Sequence, residues 1–208
     1  MELFILSVLV LTSVVSVTFI IERGLALRRR RVIPPNLEAA LNSCHSGAEV
    51  PMLRRVCEQE PSPLSELVVV AADHLSWPKA ENVEALQTRS RHVVARLERG
   101  LVVLEIVTGI APLLGLVGTI YGLITLFGSL GEAGVNEHAE FARGIALALN
   151  ATLMGLMIAI PSLAAWSYYS RRVEALALEL ERLCDEFLRR QYPHRKKEKV
   201  VPNAVHPA

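Results

Sequence analysis

The sequence has little of what a soluble enzyme or a nucleic-acid binder needs. Its formal net charge is only +1, from 22 Lys and Arg against 21 Asp and Glu, and no basic patch is interleaved with aromatics. It therefore shows no electrostatic footprint for a polyanion. The 3 cysteines, Cys44, Cys57 and Cys184, form no CxxC pair and no zinc spacing, so they read as free thiols of a reducing compartment. His138 has no second ligand at a useful distance along the chain. Glu66, Asp73 and His74 share a segment in no catalytic order. No phosphate-binding loop or activated nucleophile is present, and no cofactor or metal is implied. The first apolar stretch lacks the basic start and small-x-small cleavage site of a signal peptide, which makes it a retained anchor.

Charge is also missing from three long stretches. Leu3 to Ile21 is 19 residues without a charge, Ile106 to Leu130 is 25 and Gly144 to Tyr169 is 26. A bilayer core of roughly 30 Å takes about 20 apolar residues in a helix. The expected fold is an all-α integral membrane protein with three transmembrane helices, two of them extended into a cytoplasmic helical bundle. The expected divisions are a first span at 1–21, an inner segment at 22–105, a second span at 106–130, an outer loop at 131–143, a third span at 144–169, an inner helix at 170–192 and a disordered tail at 193–208. Arginines set the orientation. Arg23 and Arg28 to Arg31 follow the first span, Arg89 to Arg99 precede the second, and Arg171 and Arg172 follow the third. The 131–143 loop carries Glu132, Glu137 and Glu140 against Arg143 alone. Positive charge marks the cytoplasmic side, so the N-terminus is expected outside and the C-terminus inside. A catalytic domain would need far more than the 84 residues between the first two spans.

Within that inner segment, Pro34-Pro35 ends the first helix and Asn36 offers an N-cap for a short helix. Pro61-Ser62-Pro63 and Pro78 are further stops. From Glu81 the apolar positions Val83, Leu86, Val93, Leu97, Leu101 and Leu104 make one stripe at 3–4 spacing, predicting an unbroken helix into the second span. Val173, Leu176, Leu180, Leu183 and Phe187 continue the third span in the same way. The charges between them read as solvated faces. The basic tail, with Arg195, Lys196, Lys197 and Lys199, offers a weak membrane-surface motif.

The spans themselves carry stripes of small residues. Gly115, Gly118 and Gly122 recur at helical spacing in the second, and Gly144, Ala148, Thr152, Gly155 and Ala159 in the third. Small residues let helix backbones approach closely in lipid, and tight packing is all that this spacing requires. Thr119 and Thr152 lie on these small faces near mid-span and could line a polar path, although a threonine can also satisfy its hydroxyl on its own helix. Asn150 is the other polar candidate. Glu105, at the inner end of the second span, reads as interfacial or paired with an arginine.

The motifs APLLGLVGTIYG at 111–122 and ARGIALALNATLMGLMIAIP at 142–161 resemble the MotA/TolQ/ExbB proton channel family, and the three-span layout resembles its ExbB/TolQ branch. The IER at 21–23 fits as well. The resemblance implies a homopentamer in the bacterial inner membrane with third spans lining a pore. It also implies two copies of a single-span ExbD/TolR-type partner in that pore, and a TonB/TolA-type protein that transmits energy. The family's pore threonines fall on Thr119 and Thr152, and its motif proline on Pro112. One departure stands out: many ExbB and TolQ members carry glutamate where this chain has Leu147, with Asn150 three residues on. The resemblance thus implies an ion channel-forming stator subunit, most simply for protons. A non-conducting membrane scaffold that assembles a partner is the alternative, separated from it by whether the threonine faces border water or sealed packing.

Overall fold

The computed structural model describes residues 2–45, 47–130 and 138–192, which form helices, turns and short connections with no strand among them. The tail at 193–208 and the loop residues 131–137 lie outside the described residues. The long helices are α1 (Glu2–Ala26), α6 (Lys79–Glu98), α7 (Leu101–Leu130) and α8 (His138–Gln191). Between α1 and α6 stand α2 (Arg29–Val32), α3 (Pro35–Ser43), α4 (Val50–Gln59) and α5 (Pro63–Asp73). Three helices are long and apolar enough to cross a membrane, over Phe4–Ala26, Leu101–Gly128 and Gly144–Gln191. The chain divides into two compact units, residues 1–32 with 92–177 and residues 33–91 with 178–208.

The first unit contains the three apolar helices. α1 packs along α7, and two polar contacts tie it to α8. Ser162 donates to the Ile158 carbonyl at 2.7 Å, so Ser16 supplies the proton for the buried 2.6 Å Ser16–Ser162 bond. Further along, the Tyr169 hydroxyl donates to the Ile20 carbonyl at 2.9 Å, beside Gly24, where a Cβ would stand 2.8 Å from that hydroxyl. Pro112 and Pro161 both sit inside helices. A spanning helix tolerates a proline because its neighbours re-satisfy the freed carbonyl.

Two expectations are corrected. The helix expected to run unbroken from Glu81 into the second span stops at Glu98 and restarts at Leu101. The turn centres on buried Gly100, where a Cβ would run into the Arg23 side chain. Leu97, Leu101 and Leu104 keep helical spacing across the break, so periodicity conceals it. Asn36 does not cap α3. Pro34 holds the N-cap position with Pro35 inside the first turn, where a proline's missing N–H costs nothing. Asn36 instead donates its amide to the Glu60 carboxylate at 2.5 Å.

The second unit is a bundle of α3, α4, α5, the first part of α6 and the end of α8. Leu180, Leu183 and Phe187 are buried, as their spacing predicts, with Leu37, Leu41, Leu64 and Leu67. Ser62 opens α5 with a capping box shared with Ser65. Arg190 donates to the Asn42 carbonyl at 2.9 Å, closing the end of α3. Asn82 is fully buried and donates to the Ala71 carbonyl at 3.0 Å and the Tyr192 hydroxyl at 3.1 Å.

All three thiols belong to this unit and are buried. Burial pushes Cys57 up from 9.0 to about 11 and Cys184 to about 12. Below about pH 8 both thiols are essentially neutral folded or unfolded and contribute little to pH dependence. Above it the unfolded chain ionises first, so these groups make stability fall as pH rises from about 9 towards 12. At pH 8, alkylation by iodoacetamide is expected to be slow in the native protein and fast after denaturation. Rapid native labelling of either residue, located by peptide mass mapping, would contradict this burial.

Candidate functional site: the seam between two spans

The small stripes of α7 and α8 face each other within one chain. The tightest approach is at Gly115 and Gly155. A Cβ on Gly155 would stand 2.5 Å from the Ala111 carbonyl oxygen, and one on Gly115 would stand 2.8 Å from the Ala151 carbonyl oxygen. Further along, Gly118 meets Ala151 and Gly122 meets Ala148, with Cβ distances of 2.7 and 2.9 Å to their methyl groups. Val107, Ala111 and Ala159 extend the seam as a buried cluster. Gly144 stands apart from this backbone contact, and a Cβ there would meet only the flexible Leu126 side chain. Close backbone approach maximises dispersion contact where lipid supplies no hydrophobic drive between helices.

Thr119 and Thr152 come together in this seam. Their hydroxyls are in direct contact, and Thr119 also lies 3.0 Å from the Ala148 carbonyl and 3.2 Å from the Gly115 carbonyl. Thr152 reaches the same Gly115 carbonyl at 3.2 Å. Two hydroxyls carry only two protons, so these contacts cannot all be bonds at once. One consistent assignment has Thr119 donating to Ala148 and Thr152 donating to Thr119. In another, Thr152 donates to Gly115. Neither hydroxyl titrates near neutral pH.

The threonines lie on one side of the seam. Gly118 is packed against Ile5 of α1 as well as against Ala151, so Gly118 and Ala151 mark the side covered by α1. Thr119 and Thr152 each follow one residue later, about 100° further round their helices. They occupy the edge of the seam away from α1, and both are part-buried.

Asn150 does not join them. It is exposed on another face of α8, flanked by Leu147 and Met154 in a groove of about 510 Å³. Leu147 is itself 64% exposed. Glu105 is exposed near the start of α7, and Pro112 lies partly buried in it. No group of three potential metal ligands occurs among the described residues. Sequence reasoning missed the Ser16–Ser162 bond and the Gly100 turn. Lone serines in an apolar run give no hint of a partner 146 positions away.

Comparison with known proteins identifies the chain's relatives. The family model for the MotA/TolQ/ExbB proton channel family matches residues 62–182. The chain is 32% identical over 108 residues to the biopolymer transport protein ExbB of Aquifex aeolicus, covering 52% of this chain and 72% of that protein. It is 30% identical over 193 residues to the Tol-Pal system protein TolQ of Pseudomonas aeruginosa, covering 86% of this chain and 82% of that one. Against some other relatives the match spans only 51% to 61% of their length. The matched segment holds the whole threonine-bearing seam and the helix that leads into it, and the chain belongs to the MotA/TolQ/ExbB proton channel family.

Proposed function

We propose that this chain is the ion channel-forming stator subunit of an ExbB/TolQ-type complex that couples a proton gradient to work or transport across the envelope. The observation that carries the reading is the Thr119–Thr152 pair on the edge of the α7–α8 seam away from α1. Copies arranged with α1 outermost turn that edge towards a common axis, which supports a ring with a central pore, and the family resemblance implies a homopentamer. The arginine distribution supports a multi-pass inner-membrane protein with its N-terminus periplasmic and C-terminus cytoplasmic.

The pore faces of α7 and α8 contain no carboxylate, because residues 106–130 and 144–169 contain no charge at all. A proton path needs a group that titrates, so the acid comes from a second polypeptide. A single-span ExbD/TolR-type partner, two copies in the pore, supplies it, and a TonB/TolA-type protein passes the work outward. A partner carboxylate in the membrane is costly unless it meets a polar lining, and the threonine hydroxyls provide that lining. The drive is about 2.3 kcal/mol per charge per 100 mV.

Proton flux into vesicles tests the proposal. This chain alone is expected to conduct little, the complex with its partner to conduct, and the complex with the partner's acid replaced by its amide to lose that flux. Full flux from this chain alone would reject the mechanism. Intact complexes silent under every condition would favour the scaffold reading.

A further inference from the structure

α7 contains one charged residue, Glu105. It borders the uncharged stretch that begins at residue 106, yet it lies below the arginines that mark the inner surface. It follows Gly100, against which the Arg23 side chain lies, by a rise of about 8 Å. Across the seam, Val107 packs with Ala159, and Ala111 meets Gly155. Continuing that antiparallel pairing puts Glu105 level with residues 161–163 of α8, roughly 12 Å deeper than Arg171. Its carboxylate is exposed and makes no ion pair or hydrogen bond among the described residues. An unpaired acid at that depth belongs against water, because hydrocarbon makes it costly.

Its direction follows from the helix, in which successive residues turn by about 100°. Ala111 is fully buried in the seam and serves as zero. Gly118, which meets Ile5 of α1, then lies at about −20° and Thr119 at about +80°. Thr108 lies at about +60°, Pro112 at about +100° and Glu105 at about +120°. Glu105 therefore shares the Thr119 edge, away from α1, about 21 Å along the helix towards the arginine-rich end. That distance is too great for it to replace the acid that the partner brings to the threonines.

α8 is polar at the same end of the same edge. With Gly155 as zero, Ser162 and Tyr169, which bond Ser16 and Ile20 of α1, lie at about −20° and about −40°. Thr152 and Ser170 both lie at about +60°, and Ser167 at about +120°. Ser167 is exposed and Ser170 partly buried, and neither hydroxyl has a partner among the described residues. By contrast, the hydroxyls of Thr108, Thr119, Thr125 and Thr152 each reach a backbone carbonyl of their own chain. The edge is satisfied internally at mid-span and keeps free hydrogen-bonding capacity at its arginine-rich end.

We propose that Glu105, with the Ser167 and Ser170 hydroxyls, forms a water-filled vestibule for monovalent cations, hydronium included, at the inner mouth of the ion path. A ring of copies places one such carboxylate per chain at the mouth. Carboxylate rings draw cations and repel anions, and a charged cleft with low-dielectric walls raises the local counter-ion concentration by about 10–10³-fold. Residues 106–130 and 144–169 hold no charge to neutralise Glu105. Arg23 belongs to the α1 side and pairs with Glu22 at 2.7 Å. This inference rests on the function proposed above, which turns the threonine edge towards the axis, and it adds the residue that selects the sign of the ion.

Proton flux through the full-length chain with its partner, in vesicles of zwitterionic lipid, tests the proposal. Glu105→Gln is expected to lower flux about tenfold at about 10 mM salt, where the screening length is about 30 Å. At about 1 M salt, where that length is about 3 Å, the difference should fall below about twofold. Glu105→Asp keeps the charge and should stay within about twofold of the unaltered complex at both. Adding Ile106→Glu to Glu105→Gln returns a charge at the same depth, turned about 100° further from the edge; Ile106 is 51% exposed. That double variant should conduct like Glu105→Gln. Unchanged flux in Glu105→Gln, an equal loss at both salt concentrations, or recovery by Ile106→Glu overturns the vestibule and leaves the channel function standing. An unaltered complex that conducts nothing overturns both.

Discussion

Gly155→Leu is expected to destabilise the folded protein strongly and to lower its accumulation. The Ala111 carbonyl oxygen would lie 2.5 Å from the first added carbon, and the Gly115 Cα 3.2 Å from it. Both are backbone atoms of α7, so no rotamer change relieves the clash. The helices must separate by the thickness of a side chain, which also strips contact from Ala111, Gly118 and Ala148 along the seam. Overpacking of a compact core costs about 1–3 kcal/mol and occasionally more; a backbone-to-backbone contact with no side chain to yield belongs at the upper end. Typical domains have only about 5–15 kcal/mol in hand. Gly109→Ala is the control. A Cβ there meets nothing within 4 Å, and alanine is about 1 kcal/mol better than glycine inside a helix. Thermal unfolding in detergent should show Gly109→Ala unchanged or raised and Gly155→Leu absent or strongly lowered. Comparable behaviour of the two variants would mean that α7 and α8 do not pack through these glycines. Because the contact lies within one chain, the loss should appear as failed folding rather than as a stable monomer.

The contrast between Gly109 and Gly155 shows where sequence reading stops. Both are glycines in apolar spans, and hydropathy treats them alike. The spans were legible because lipid imposes a length, and the buried residues of α8 were legible because 3.6-residue periodicity survives in Leu176, Leu180, Leu183 and Phe187. The small stripes were legible as packing faces, but spacing does not say what packs there. Copies of the chain and two helices of one chain give the same pattern, and here they pair internally. Thr119 and Thr152 were legible as a pair only through resemblance, since 33 positions separate them. Asn150 is polar and lies three residues from Leu147 on nearly the same helical face, and it stands in the groove beside Leu147 rather than with the threonines. The break at Gly100 is hidden for the opposite reason: the apolar stripe continues through it while the helix is interrupted beside the Arg23 side chain.

Changing both Thr119 and Thr152 to Val is expected to leave the complex assembled and to remove most of its ion-driven activity. Valine keeps the branched shape, so the seam stays filled. What is lost is hydrogen bonding, and the carbonyls left behind are not orphaned. Gly115 and Ala148 carbonyls already accept the i→i+4 bonds of their own helices, and the threonines use their second lone pairs. Interhelical bonds of this kind are worth about 0.6 kcal/mol on average in a membrane bundle. The stability effect should therefore be within about 2 kcal/mol for the pair. The same redundancy frees the hydroxyls for function. Thr152 can turn its proton away from Gly115, at 3.2 Å, towards a passing carboxylate without leaving a buried acceptor bare. Removing that partner from a membrane-embedded acid raises its transfer barrier, and each 1.36 kcal/mol corresponds to about tenfold in rate. A loss of roughly tenfold or more is expected in vesicle flux and in client activity, where hydrogen bonds to a charged group run at about 1.5–3 kcal/mol. Thr→Ser at both positions separates the two effects, since it keeps the hydroxyl and gives up a methyl. The serine variant should lose some stability and keep activity, while the valine variant should do the reverse. Full activity with both valines would reject a working role for the hydroxyls and return the pair to helix packing alone.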